Sequence, residues 1–385
     1  MGWIIVPEQE QEETSNSPKD TTTFKEAPFL TLKGFLMGSA DIVPGVSGGT
    51  MALIVGIYER LLNAIKSVNG NFIKLFFTLK WKQAFKEIHL FFLAALFLGI
   101  FSALAFFTKV VPLQVYMFTE PEIVYGLFFG LIVGSIYILI KALERFTKTE
   151  MLMLVLGMAF GIWIVSLVPA DTPEHPAFVF LSGSIAICAM ILPGISGSYL
   201  LLIMRKYDYL LSQIGKIGGV ETVDGLLGLL PFMLGAIVGL AAFSRFLSWL
   251  LSKYHPQTIA VLIGFLIGSL YVIWPYQHRD FVQKAEVTQV EYMNHPKVQE
   301  LMENPPNTNL PEYERIGEIS NAESTFDEMK QVEIETVKNK LIKSEPFIPG
   351  WWGSKSDDDP NVWGGIVGIL VGMMMVGGLD MLRKK

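Results

Sequence analysis

The chain has 385 residues, 51% of them hydrophobic and only 17% charged, with a mean hydropathy of +0.43. Soluble domains carry roughly 25% charged residues, and the shortfall here is concentrated in long apolar runs, which excludes an ordinary soluble domain. A single cysteine, Cys188, excludes an internal disulfide and a Cys-x-x-Cys metal or redox site, and a net charge of −6 argues against nucleic acid as a main partner.

Residues 1–28 are polar, rich in Glu, Thr and Ser, and read as a disordered leader without a signal-peptide core. The first apolar unit, 29–65, is interrupted by Pro44-Gly45 and followed by runs at 90–108, 123–140 and 151–168. A second interrupted unit, 177–214, breaks at Pro193-Gly194 and is followed by runs at 226–251, 258–275 and 362–379. These runs approach the about 20 residues that cross a hydrocarbon layer. The expected division is a leader (1–28), a first membrane repeat (29–168), the first part of a second (177–275), a hydrophilic insertion (276–361) and a last transmembrane helix with a basic tail (362–385). Residues 277–360 hold 9 Lys/Arg against 17 Asp/Glu, so the acidity belongs to the insertion. Within it, 304–311 and 354–360 read as loops, 323–343 as helical, and 346–352, with paired tryptophans, as lying at the outer interface.

The order of runs repeats, and so do the residues. Ala40-Asp41-Ile42-Val43-Pro44-Gly45-Val46-Ser47-Gly48 aligns with Ala189-Met190-Ile191-Leu192-Pro193-Gly194-Ile195-Ser196-Gly197, and the register continues to Tyr58 over Tyr207. A weaker match sets residues 130–137 over 264–271. Proline drives the preceding residue out of the α region and glycine tolerates the turn that follows. The half before the first break, about 15 residues or ~22 Å of helix, is short for a crossing. A re-entrant hairpin fits better. The fold class expected is an all-α polytopic membrane protein with an inverted internal repeat, each repeat one Pro-Gly-broken hairpin plus three transmembrane helices. With both termini inside, twelve Lys/Arg fall in internal segments against four outside, and the insertion falls outside.

Candidate functional residues gather at the breaks. Ser47 and Ser196 are placed to cap the returning helices, and a capped helix start with glycines suits an anion. The competing reading is a mere kink between packed helices. Asp41, three residues before Pro44, is an intramembrane carboxylate, a candidate for binding a coupling proton or sodium ion, for capping a helix end in the opposite hairpin or for pairing with a nearby cation. Glu59 and Arg60 lie ~18–20 Å beyond Ser47 along a helix, near the membrane surface. Arg205 and Lys206 lie ~14–15 Å past Ser196, and these basic groups suit either a lipid phosphate or interfacial anchoring. Arg245 lies deeper in its run. The tips formally match serine-nucleophile motifs, but none of the five histidines falls inside a span, so hydrolysis is not expected.

Residues 38–52, followed by Gly56-Ile57-Tyr58-Glu59-Arg60, resemble the signature of a bacterial family once catalogued as a domain of unknown function. The family comprises undecaprenyl-phosphate (polyprenyl-phosphate) transporters that return this carrier lipid to the cytoplasmic face for cell-wall synthesis. Residues 191–199 resemble its second signature. The resemblance covers 33–274 and the last span; the acidic insertion departs from it. It implies a multi-pass flippase of the cytoplasmic membrane, not an enzyme, with a polyprenyl-phosphate lipid as partner and no cofactor. On that basis Ser47, Gly48, Gly49, Thr50, Ser196, Gly197 and Ser198 bind the phosphate, Arg60 and Arg205 recruit it, and Asp41, Glu59 and Arg245 form a polar or coupling set. An ion-coupled symporter of a small soluble organic anion is the alternative. The sequence leaves coupling ion, direction and oligomeric state open.

Overall fold

Where the sequence runs apolar without interruption, the chain is helical. The computed structural model describes residues 22–43, 46–143, 147–167, 172–219, 221–308, 310–319, 330–355 and 359–383. The Pro44-Gly45 break, most of the leader, Arg145 and the tail residues Lys384 and Lys385 lie outside them. The first half comprises α1 (Ala27–Asp41), α2 (Gly48–Ile54), α3 (Tyr58–Ser67), the short α4 (Gly70–Phe77) and α5 (Trp81–Glu87), α6 (Leu90–Lys109), α7 (Leu113–Thr119), α8 (Pro121–Ala142) and α9 (Lys148–Val165). The second comprises α10 (Pro176–Ile191), α11 (Gly197–Ile203), α12 (Tyr207–Gly215), α13 (Thr222–Lys253), α14 (His255–Ile273) and α16 (Val362–Arg383). Among the described residues, α6, α8, α9, α13 and α14 are long and apolar enough to cross a membrane, and the chain is a polytopic membrane protein.

The helices pack in matched pairs: α1 on α6, α10 on α13, α8 on α16, and α14 on α9. The pairs meet through glycine. A Cβ on Gly34 would strike the carbonyl of Leu96, one on Gly183 that of Phe232, one on Gly130 that of Ile369, and one on Gly264 that of Leu154. Lipid tails are as apolar as leucine, so close backbone approach at small residues is what holds such pairs. α8 and α14, which also touch each other, are the most buried of the five long helices. The sequence match between them has a structural counterpart. Ser135 and Ser269 are both buried, and each hydroxyl donates within its own helix, to Leu131 O and Leu266 O.

The all-α expectation fails in the insertion. Between α14 and α16 the chain forms β1 (Gln277–Tyr292), α15 (Pro296–Glu303), β2 (Glu312–Ile319) and β3 (Gln331–Pro346), an antiparallel sheet in the order β1-β3-β2. Residues expected to be helical therefore lie in β3. The buried Val332 and Ile334 are spaced by two, the period of a strand, and pack against Val298 of α15. The base of the sheet is fastened to the helices. Tyr276 Oη donates to Val362 O at the start of α16 (2.8 Å), and the Arg279 guanidinium lies 4.4 Å over the ring of Tyr125 on α8. Burial pushes the Arg279 pKa down, while neighbouring Tyr125 and Glu122 act the other way.

Candidate functional site

Ser47 caps α2: its Oγ accepts from Gly49 N–H (3.1 Å) and donates to the carbonyl of Met190 (3.3 Å) at the end of α10. Tyr58 Oη donates to the next carbonyl, Ile191 O (3.1 Å). Gly49 has no room for a side chain, because a Cβ there would stand 2.6 Å from Ile191 O. In the other direction, Gly194 N–H donates to Thr50 Oγ1 (2.8 Å). Residues 47–58 and 190–194, more than 130 residues apart in sequence, thus bond to each other, and Ser47, Gly48, Gly49 and Thr50 are all buried.

Asp41 closes the first turn from within. Its Oδ1 accepts from Gly48 N–H at 2.6 Å, so the carboxylate caps α2, the helix after its own break, and not a helix of the second unit. A charged acceptor at a helix start is stabilising.

The second tip is more open. Ser196 caps α11, accepting from Tyr199 N–H (3.4 Å), and its hydroxyl lies 2.9 Å from that of Ser198, which is exposed. Gly197 packs against the carbonyl of Ala186. Ser196, Gly194, Tyr199, Val165, Ser269 and Val272 line a narrow cleft with about 10 Å³ of free space.

The remaining candidates do not join the tips. Arg60, at the α3 end of the first unit, pairs with Glu26 (3.3 Å), donates to Thr22 Oγ1 (2.6 Å) and lies 4.7 Å over the Phe92 ring at the start of α6. Glu59 faces His255 at 3.0 Å. Arg245 donates to Ala241 O of its own helix (2.7 Å).

The second unit repeats the backbone of the first at this level. After α2, Gly56 has φ +70 and Ile57 N–H reaches Ala52 O (2.9 Å); after α11, Arg205 has φ +48 and Lys206 N–H reaches Leu201 O (2.8 Å). Both are left-handed helix stops of the Schellman type. Arg205 accordingly sits exposed, on a conformation that favours glycine, while Lys206 turns inward. It is 1% exposed, donates to Thr172 O (2.9 Å), and lies near the rings of Phe178 and Tyr209. No carboxylate among the described residues comes within ion-pair distance of it. Lys206, not Arg205, is thus the enclosed cation of the second unit. Its repeat mate, Ile57, is apolar, so comparing the two halves at this register was the available signal.

The profile of a family described as undecaprenyl phosphate translocase-like matches residues 37–290. A polyprenyl-phosphate transporter of Vibrio cholerae serotype O1 (strain ATCC 39315 / El Tor Inaba N16961) is 40% identical over 246 residues, covering 64% of this chain and 77% of the relative. A polyprenyl-phosphate transporter of Staphylococcus aureus (strain NCTC 8325 / PS 47) is 32% identical over 257 residues, covering 63% and 85%. No solved structure matches the chain.

Proposed function

The chain belongs to the undecaprenyl phosphate translocase-like family, whose members here are transporters and not enzymes, and from that premise we propose that it moves a polyprenyl phosphate across the bacterial cytoplasmic membrane. The lipid is the carrier recycled in cell-wall polysaccharide synthesis. Its phosphate passes between the two tips while the hydrocarbon chain stays in the bilayer. The observation that carries this reading is the bonding between residues at and beside the two breaks, Ser47 to Met190 O and Gly194 N–H to Thr50. Those hydroxyls and N–H groups are suited to phosphate oxygens once the tips part.

In this reading each broken unit is a re-entrant hairpin and the second repeat is inverted. Support comes from the ends of the bundle. The first unit's mouth, with Arg60 and Glu59, meets Glu26, Phe92 and His255 at the starts of α1, α6 and α14. The second unit meets Val165 at the end of α9, through Tyr199 Oη (2.8 Å), and Gly228 in the first half of α13, through Tyr209 Oη (3.3 Å). Arg60 is then the cytoplasmic cation and Lys206 the outer one, with both termini cytoplasmic and the sheet outside. Asp41 holds the coupling proton or sodium ion.

The test is translocation of a fluorescent polyprenyl phosphate in proteoliposomes. Wild type is expected to move it, and Arg60→Ala and Asp41→Asn to slow it about tenfold, the effect of losing one charge-assisted hydrogen bond of roughly 1.5 kcal/mol. Equal rates in all three would remove these residues from the path. Transport of a soluble organic anion instead of the lipid would overturn the substrate.

A further inference from the structure

The segment between α3 and α6 carries an exposed apolar face. Asn69 caps α4, its Oδ1 accepting from Asn71 N–H (2.9 Å) and Phe72 N–H (3.0 Å). α4 ends in a left-handed stop at Leu79, φ +59, with Lys80 N–H reaching Leu75 O (3.0 Å). The chain turns there so that Phe76 stacks on Trp81 of α5, the ring centroids 6.3 Å apart. Phe76, Phe77, Leu79, Trp81 and Phe85 are all exposed, Phe77 by 80% and Leu79 by 75%. α5 buries Ala84, whereas none of the side chains described on α4 is buried. A helix of eight residues does not hold itself in water, and the stop at Leu79 favours glycine. An exposed leucine there is doubly unfavourable unless something apolar receives it.

Two observations say what receives it. The first is place. α6 is one of the five long apolar helices and starts at Leu90, three residues after α5 ends. Arg60 of α3 lies over the ring of Phe92, in the first turn of α6. The segment therefore leaves and rejoins the bundle near the point where α6 enters the hydrocarbon, at the level of the headgroups, where tryptophan and long lysine stems collect. The second is charge. Residues 61–86 hold five lysines, Lys66, Lys74, Lys80, Lys82 and Lys86, and no Asp or Glu. Lys66, Lys74 and Lys80 are exposed, and the helical repeat sets Lys74 on the side of α4 opposite Phe72 and Phe76. Rings on one face with lysines on and around the other are the make-up of a helix lying in the surface of an anionic bilayer. A zwitterionic surface would take up the rings and leave the lysines without a counter-charge.

We propose that α4 and α5 form a docking surface for anionic phospholipid, lying flat in the interface of the bilayer that the long helices cross. The rings of Phe76, Phe77, Trp81 and Phe85 and the Leu79 side chain enter the first methylenes below the headgroups, and the lysines meet the headgroup phosphates. Docking anchors the end of α3, the helix that carries Arg60, at the membrane surface. The surface goes beyond the transport reading and stands apart from it, since it does not depend on what the protein carries.

The experiment places a fluorophore on the full chain in lipid nanodiscs, at Phe77→Cys of α4 or at Phe85→Cys of α5, in a Cys188→Ser background. Val287→Cys, on an exposed stretch of β1, is the control. The discs contain phosphatidylcholine alone or with phosphatidylglycerol, and quenching is read with acrylamide in the water and with a quencher carried on the lipid acyl chains. In the anionic discs both labels are expected to be reached by the lipid quencher and shielded from acrylamide, while the control shows the reverse. Each lysine removed is expected to lower the docked-to-undocked ratio about fivefold, so Lys74→Gln with Lys80→Gln shifts both labels toward acrylamide, as do discs of phosphatidylcholine alone. Thermal unfolding identifies a variant that has merely lost its fold. Labels open to acrylamide in anionic discs overturn the docking. Labels shielded from both quenchers mean that protein covers the face, and overturn it too. Equal shielding in both kinds of disc and in the lysine variant overturns the recognition of anionic lipid.

Discussion

At the scale of single residues, the informative contrast lies between Arg205 and Lys206. Both are cations at the end of the second broken unit, and sequence alone favoured the arginine. The helix stop decides otherwise, because the left-handed position falls on Arg205 and sends the next side chain inward. An enclosed lysine with one carbonyl, two rings and, among the described residues, no carboxylate within reach is costly to the fold, and an apolar replacement of similar length is often neutral or stabilising. Lys206→Met is therefore expected to hold or raise the melting temperature while slowing polyprenyl-phosphate transport about tenfold, the effect of removing roughly 1.4 kcal/mol of phosphate attraction. Thermal unfolding beside flux measurement checks this. A variant less stable and equally active would make Lys206 a structural anchor. The tips were legible in part. Proline, glycine and serine at matched spacing indicated two capped turns, but the pairing of Thr50 with Gly194 was not visible. That bond joins segments whose approach depends on the packing of the whole bundle.

At the scale of elements, apolar runs marked the long helices to within a few residues, since a span has one dominant signal. The insertion has no such signal. β1 runs over sixteen residues, yet most of its side chains are exposed and no alternation of burial marks it. In β3 the period shows clearly only at Val332 and Ile334, and Glu- and Lys-rich flanks imitate a helix. The glycine-faced pairs make a sharper expectation. Gly264 of α14 lies against Leu154 O and Gly157 of α9. Gly264→Leu forces that pair apart and is expected to cost about 1–3 kcal/mol, the usual penalty of overpacking. The same change at Gly377, where a Cβ meets nothing, should be nearly silent. Melting temperatures in one detergent compare the two, and equal effects would show that close approach at Gly264 contributes nothing.

At the scale of the molecule, the two halves share a plan and exchange partners: the middle helix of each packs on the last helix of the other. The opposite orientation proposed for the halves makes a direct prediction about sidedness. Glu59 and Asp208 occupy matched positions 149 residues apart, each in the first turn of the last helix of its broken unit. In a Cys188→Ser background, single cysteines there are expected to react with a membrane-impermeant thiol reagent from opposite faces, Glu59→Cys from inside and Asp208→Cys from outside. Labelling of both from one side would mean that the halves run parallel. The exchange of helices also makes neither half a finished unit, because each leaves glycine-lined faces that only the other covers.

The bonding of one tip to the other has an electrical consequence. Thr50, Ser47, Gly194 and the carbonyl of Met190 satisfy one another, so polar groups deep in the bundle need no water to complete them. Each such bond contributes about 1 kcal/mol and leaves costly orphans when broken, which keeps a continuous file of water from forming between the two faces. In the proposed reading an idle copy is thus expected to be an insulator: the voltage across the membrane falls over protein, and no current flows until a ligand takes the place of those bonds.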